Sequence, residues 1–370
     1  MQLQTTLALA LLLQPLCASA QDGFKWFDPQ ESPFQVIEGL AFPDEERGSY
    51  ARFPSGRMPL LPQGVSANAT CSAGLTLHFH TDAPEIRVTY TATSNKYAMP
   101  HMPSTGVSGL DLYATDSKGH SMICHAKYGF GGAVSFTYRD LTYHDKEGYD
   151  FELFLPLYNG VQSLKIGVPD SAEFHFLEAT KAQPVLVYGT SIAQGACASR
   201  PAMAWTNILK RELHLPIVNW GFSGSGRMEP EMFDMMAEVD ARLYIIDCMP
   251  NMNDMPEQIE PRLTKGIHTL RAATDAPILI VEHDGYTGEE INKTSKAQYQ
   301  KTNEECRKAY QQLKHEGVKN LWYLSHEDIG MSPEATVDDT HASDLGMTIY
   351  AQAYARKISK ILHLKPGKKH

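Results

Sequence analysis

Ser191 ends an apolar, largely β-branched run, Val185-Leu186-Val187-Tyr188-Gly189-Thr190, and precedes Ile192-Ala193-Gln194-Gly195. That pattern predicts a buried strand delivering a serine hydroxyl to its C-terminal edge, where an open α/β sheet places its chemistry. A hydroxyl is a weak nucleophile until a base takes its proton. His341 can be that base, and Asp338, three residues earlier on a turn, can reach the other ring nitrogen and fix the tautomer. A serine so activated attacks an acyl carbon, and the tetrahedral oxyanion then needs fixed donors. The backbone N–H groups of Ser191 and Gly224 and the side-chain amide of Asn251 could supply three. Glycine at 224 lets the backbone come close.

Taken alone, Gly189 and Ser191 describe an ordinary strand-to-turn junction. The order of the other pieces makes the set specific. Asn219-Trp220-Gly221-Phe222-Ser223-Gly224-Ser225-Gly226 follows a second strand-like run, Asp247-Cys248-Met249-Pro250-Asn251 follows a third, and Asp338-Asp339-Thr340-His341 precedes the last helical stretch. Ser223 is the rival nucleophile, but Ser225 occupies the final glycine position of Gly-x-Ser-x-Gly. Asp339 reads as a solvated or capping residue beside Asp338. His101, Arg200 and His283 are carried as candidate substrate contacts. Beside that role, His101 reads as a loop histidine, Arg200 as an ion-pair partner and His283 as a strand-end polar residue.

The elements that must position these residues change character near residue 180. From about 185 onward, strand-like runs at 185–188, 217–220, 243–247, 278–282 and 321–324 alternate with helical stretches at 204–213, 230–239, 258–271, 295–314 and 345–362. This predicts a parallel sheet with helices on both faces, a flavodoxin-like three-layer α/β/α domain over 181–370. Before it, residues 21–180 read as an antiparallel β-sandwich of jelly-roll type: Leu75, Leu77 and Phe79, then Ile86, Val88 and Tyr90, alternate with polar residues. Asn159-Gly160 between the runs 150–158 and 161–168 predicts a type I′ hairpin. There is no Gly-x-Gly-x-x-Gly after a first strand and no P-loop.

Composition narrows the classes. The 370 residues are 42% hydrophobic and 21% charged, ordinary for a globular chain. The net charge of -10 disfavours nucleic acid, since the only basic cluster is the tail from Lys365 to Lys369. The apolar run Leu7–Leu16, too short to span a bilayer, ends at Ala18-Ser19-Ala20 and predicts a cleaved signal peptide over 1–20, hence a secreted or periplasmic protein. Five cysteines then remain, an odd number without zinc-site spacing. Cys197 and Cys248 follow the first and third strand-like runs, which could be neighbours, so they could form a disulfide or stay reduced. The histidines at 78, 80, 101, 120 and 125 lack ligand spacing, and no metal site is expected.

These blocks resemble the SGNH/GDSL hydrolases, named for a Ser, Gly, Asn and His in four sequence blocks. Ser191, Gly224, Asn251 and His341 with Asp338 fall on them. Threonine at 190 replaces the usual aspartate, and block three reads Asp-x-x-Pro-Asn. The whole chain resembles a narrower branch in which an N-terminal β-domain carries Gly-x-Asp-Leu-Tyr, here Gly109 to Tyr113; Gln194 to Pro201 also looks like that branch. The resemblance implies a cofactor-free serine esterase, often one that deacetylates carbohydrates. The expected substrate is therefore an acylated carbohydrate or another small ester, with no nucleic-acid partner and no membrane span. A lipid esterase or thioesterase on the same residues, and a catalytically silent carbohydrate-binding protein, are the alternatives. Oligomeric state is not legible.

Overall fold

The computed structural model describes residues 23–144 and 148–364. The expected signal segment and the basic tail lie outside them. Eleven strands come first: β1 (Phe24–Phe27), β2 (Ile37–Glu38), β3 (Thr76–Thr81), β4 (Ile86–Ala92), β5 (Asp111–Thr115), β6 (Ser121–Ile123), β7 (Ala126–Gly129), β8 (Val134–Tyr138), β9 (Tyr149–Phe154), β10 (Val161–Pro169) and β11 (Phe174–Phe176). They form two antiparallel sheets, ordered β1-β10-β4-β8-β7 and β11-β3-β9-β5-β6, with β2 paired to β3. Leu77, Phe79 and Phe151 of one sheet and Val88, Phe136 and Ile166 of the other share a single core. Period-two alternation is the cause, because each strand turns one side chain in two inward.

β9 and β10, expected as a hairpin, belong to different sheets. Between them Leu155 is buried in the sandwich core and Leu157 in the core that α4 and α9 share with the parallel sheet. Asn159 is itself buried and bonds outward, donating to Ser94 O (2.9 Å) and Ser108 Oγ (3.0 Å) and accepting from Ser94 N (3.1 Å). Gly160 is required for close approach, not for a primed turn: a Cβ there would lie 2.4 Å from Thr70 O.

Five parallel strands follow: β12 (Val185–Gly189), β13 (Ile217–Gly221), β14 (Leu243–Asp247), β15 (Ile278–Val281) and β16 (Leu321–Leu324), in the order β13-β12-β14-β15-β16. The helices number α1 (Gln63–Ala69), α2 (Ser104–Val107), α3 (Ser191–Gln194), α4 (Trp205–Leu213), α5 (Pro230–Ala237), α6 (Ile259–Ala273), α7 (Lys293–His315), α8 (His326–Ile329) and α9 (Asp344–Ile361). Leu186, Tyr188, Tyr244 and Ile246 face a core built with α5, α6 and α7, whereas Val185, Val187, Leu243 and Ile245 face one built with α4 and α9. Strands buried on both faces explain the continuous apolar runs. Sheet order reverses at β12, which puts its C-terminal exit at the switch point where open α/β sheets bind ligands.

One segment departs from the expected division near residue 180. Phe42, Phe53, Leu61, Val65 and Ala69 precede most of the antiparallel strands yet pack in the core of the parallel sheet. Phe53 packs at a tilt against Trp220 of β13, with ring centroids 4.6 Å apart. The Gly109–Tyr113 motif also reaches across. Asp111 accepts from Arg200 Nη1 (3.1 Å) and from the Ala202 backbone N–H (2.8 Å), and Arg200 Nη1 also donates to the Tyr113 hydroxyl oxygen (3.1 Å).

Candidate active site

Ser191 is the first residue of α3, directly beyond β12. Thr190 caps that helix: its hydroxyl oxygen accepts from the Ile192 N–H at 3.3 Å, work that an aspartate could also do. The Ser191 carbonyl accepts from the N–H groups of Gly195 and Ala196, each at 3.0 Å, and from the Tyr158 hydroxyl at 3.2 Å. Tyr158 comes from the antiparallel half. Burial pushes its pKa well above the ordinary tyrosine range, so it stays a donor. Ser191 is thus pinned from both halves of the chain.

His341 lies 150 residues away in sequence, on a small loop before α9 closed by a β-bridge between Thr336 and Ala342. Its Nε2 is 2.9 Å from Ser191 Oγ, and its Nδ1 is 2.8 Å from Asp338 Oδ2. Asp338 Oδ1 accepts the backbone N–H of His341 (2.8 Å) and of Thr340 (3.3 Å). Partial burial works against the Asp338 charge, but the bonds from His341 outweigh it and hold the carboxyl below its ordinary range. An ionised Asp338 accepts at Nδ1, which leaves the Nε2 lone pair toward the serine. The neighbouring Asp339 has φ +75°. Its Oδ1 accepts from the Gly288 N–H and from Thr287 Oγ1 (3.2 Å), so it braces the loop against the segment that follows β15.

The third component is the loop beyond β13. Gly224 has φ +63°, which favours glycine, and a Cβ there would meet no atom within 4 Å. Among the described residues, no backbone acceptor is recorded for the N–H of Ser191 or of Gly224. Asn251 sits against the same loop, its Nδ2 3.3 Å from Ser225 O and 3.5 Å from Phe222 O. These long contacts hold the amide beside the Gly224 turn.

The scaffold joining these parts was not legible in advance. Gln194 donates to Leu157 O (3.2 Å) and accepts from the Ser223 N–H (3.0 Å), tying α3 to both the antiparallel half and the Gly224 loop. Asn219 Nδ2 donates to Ala193 O at 2.7 Å. Arg52, fully buried, donates to the carbonyls of Asn68 (2.7 Å), Asn219 (3.2 Å) and Gly221 (2.5 Å). Burial lowers its pKa to about 10, still high enough to keep it charged at neutral pH. Asn68 adds a bond to Ser223 O at 3.1 Å. An isolated arginine between loops carries no pattern that announces such a role.

Two family models match the chain. That of the GDSL-like lipase/acylhydrolase family covers residues 182–359, and that of the N-terminus of SGNH-hydrolase-type esterases, with the GxDLY signature, covers residues 24–174. A solved structure from Bacteroides ovatus, described as a GDSL-like lipase, is 31% identical with a TM-score of 0.83, over 92% of this chain and 99% of that one. The chain belongs to the GDSL-like lipase/acylhydrolase family. Salicylyl-acyltransferase SsfX3, from a tetracycline biosynthetic pathway, shares the fold at 19% identity and a TM-score of 0.72, over 94% of this chain and 99% of that one. No curated protein matches in sequence.

Within this GDSL/SGNH fold the remaining candidates separate. His101 stands next to the site, its ring centroid 5.7 Å from that of His341. Arg200 is engaged by Asp111 and Tyr113. His283 is fully buried, its Nδ1 accepting from the Gly285 N–H at 2.9 Å, so it offers no surface to a substrate. A strand-end polar residue turned inward explains it. Cys197 and Cys248 are free thiols. Burial and the nearby Asp338 charge push the Cys197 thiol up to about 12, so it stays protonated at neutral pH. Among the described residues, no helix is long and apolar enough to cross a membrane.

Proposed function

We propose that this GDSL/SGNH-family chain is a secreted serine esterase that removes short acyl groups, acetyl above all, from carbohydrates. The observation that carries the reading is the line Ser191 Oγ, His341 Nε2, His341 Nδ1, Asp338 Oδ2, with contacts of 2.9 and 2.8 Å. In this scheme His341 takes the Ser191 proton as the oxygen attacks the ester carbonyl. The oxyanion is met by the N–H groups of Ser191 and Gly224, with the Asn251 amide as third donor. As the carbon–oxygen bond to the sugar breaks, His341 gives its proton to the departing sugar oxygen, leaving an acyl group on Ser191. Water, deprotonated by the same imidazole, releases the acyl group from Ser191.

The choice of a carbohydrate ester rests on the resemblance and on the setting. Asp338 and His341 are partly solvent-exposed, and polar groups of Thr287, Thr336 and Asp339 stand close by. The 420 Å³ cavity beside Pro184, Pro216 and Ile217 lies at the N-terminal ends of β12 and β13, the other end of the strands from Ser191, and is no receptacle for an acyl chain there.

Acetate release from p-nitrophenyl acetate and from a panel of acetylated polysaccharides, wild type against Ser191→Ala, tests the proposal. The rate should fall by about 1,000-fold or more in the variant, as for loss of a triad nucleophile. Equal rates would remove Ser191 from the chemistry. A preference for long-chain esters would turn the reading toward lipids.

A further inference from the structure

Three residues from three separate segments converge beside the nucleophile. His101 sits in the tight turn 99–102, closed by two backbone bonds between Met99 and Met102 (3.0 and 3.1 Å), with Met102 buried as its anchor. Cys197 follows α3, is buried, and donates its backbone N–H to Ala342 O at 2.9 Å, which fixes it next to His341. One ligand atom from each of His101, Cys197 and His341 lies within 4.8 Å of the others. Sequence spacing hides the group, since its members are 96 and 144 residues apart.

Two imidazoles and a thiolate are a donor set that zinc and copper favour. Zinc–nitrogen bonds of about 2.0 Å and zinc–sulfur bonds of about 2.3 Å put tetrahedral ligand atoms roughly 3.5 Å apart. The three atoms must therefore close by about 1 Å, within reach of a rotamer change at the half-exposed His101. At His341 the free lone pair is on Nε2, because Nδ1 faces Asp338. A cation there occupies the electron pair that has to accept the Ser191 proton.

We propose that His101, Cys197 and His341 form an inhibitory site for a borderline-soft divalent cation, zinc being the type, which switches the serine off by capturing its base. The Cys197 thiol gives its proton to solvent as the ion binds, and a water or the Ser191 hydroxyl completes the tetrahedron. The proposal makes the antiparallel half part of the control of the site, through His101. Its inhibitory consequence rests on the esterase reading; the site itself does not.

The test has two arms on the full chain. In the first, zinc chloride is titrated into p-nitrophenyl acetate assays of wild type, His101→Ala and Cys197→Ala, each scaled to its own metal-free rate. Wild type should lose activity and regain it with EDTA, and each variant should need at least tenfold more zinc. Equal zinc sensitivity in all three, or none in wild type, overturns the proposal. In the second arm cobalt(II) is titrated into Ser191→Ala, with circular dichroism as a check on folding. A thiolate-to-cobalt charge-transfer band should appear there and vanish on adding Cys197→Ala; a band that survives, or none at all, refutes the site. If no variant hydrolyses any ester but the band behaves as expected, the cation site stands and the esterase reading falls.

Discussion

Replacing Asp338 by asparagine should be more harmful than replacing it by alanine. Asp338 uses one oxygen for two backbone N–H groups, those of His341 and Thr340, and the other for His341 Nδ1. Asparagine has a single acceptor oxygen, and the two backbone donors claim it. Its NH2 then faces Nδ1 and stabilises the tautomer with the proton on Nε2, which cannot accept the Ser191 proton. A buried triad loses about 10,000-fold by this substitution. Here the Asp338 and His341 side chains are 39% and 23% exposed, so water competes for Nδ1 and part of the population keeps the working tautomer. The loss in kcat should be about 100- to 1,000-fold for Asp338→Asn. Alanine forces no tautomer, admits water to Nδ1, and should retain several times more activity. The assay is p-nitrophenyl acetate hydrolysis under saturating conditions, with thermal unfolding to show that both variants are folded. An Asp338→Asn enzyme within about threefold of wild type, or more active than Asp338→Ala, would refute the tautomer argument.

Other substitutions probe the scaffold. Arg52→Met strips donors from three carbonyls, two of them in β13; it should cost about 2–3 kcal/mol in urea unfolding and lower kcat by loosening the Gly224 loop. An unchanged kcat in folded protein would separate Arg52 from the site. Asp111→Ala leaves the Ala202 N–H and Arg200 without their carboxylate and should destabilise the chain by about 2–3 kcal/mol, read as a drop in Tm. The buried Asp247 has its pKa pushed up to about 8 by burial, aided by Asp284 and against the Tyr354 hydroxyl. The folded chain keeps this proton up to about pH 8, while the unfolded chain releases it near 3.8, so its contribution is full in acid and is lost as pH rises through that window. Asp247→Asn mimics the protonated form, and its stability relative to wild type should grow by about 2 kcal/mol between pH 5.5 and 7.5, measured by denaturant titration. A difference that does not change with pH would show that Asp247 is already ionised when folded.

Local pattern was enough for the second half of the chain. Each apolar run at 185, 217, 243, 278 and 321 became a parallel strand, because a sheet covered by helices on both faces needs apolar side chains on both. The candidate site was legible for the same reason: at a strand exit such as Ser191, or in a three-residue turn such as Asp338 to His341, local backbone decides where the side chain points. Long-range packing decided the rest. Asn159-Gly160 has the composition of a hairpin turn, yet β9 and β10 lie in opposite sheets: the linking Leu155 is buried in the sandwich core and Leu157 in the core of the parallel sheet, and the local preference yields to core burial. The segment around Phe53 and Val65 belongs in sequence to the antiparallel half and in space to the parallel sheet, where its apolar side chains find a face to cover. Arg52 and Tyr158 act through backbone carbonyls, which carry no side-chain identity to betray the pairing. The meeting of His101, Cys197 and His341 depends wholly on how the two halves dock, a relation that no spacing within the chain encodes.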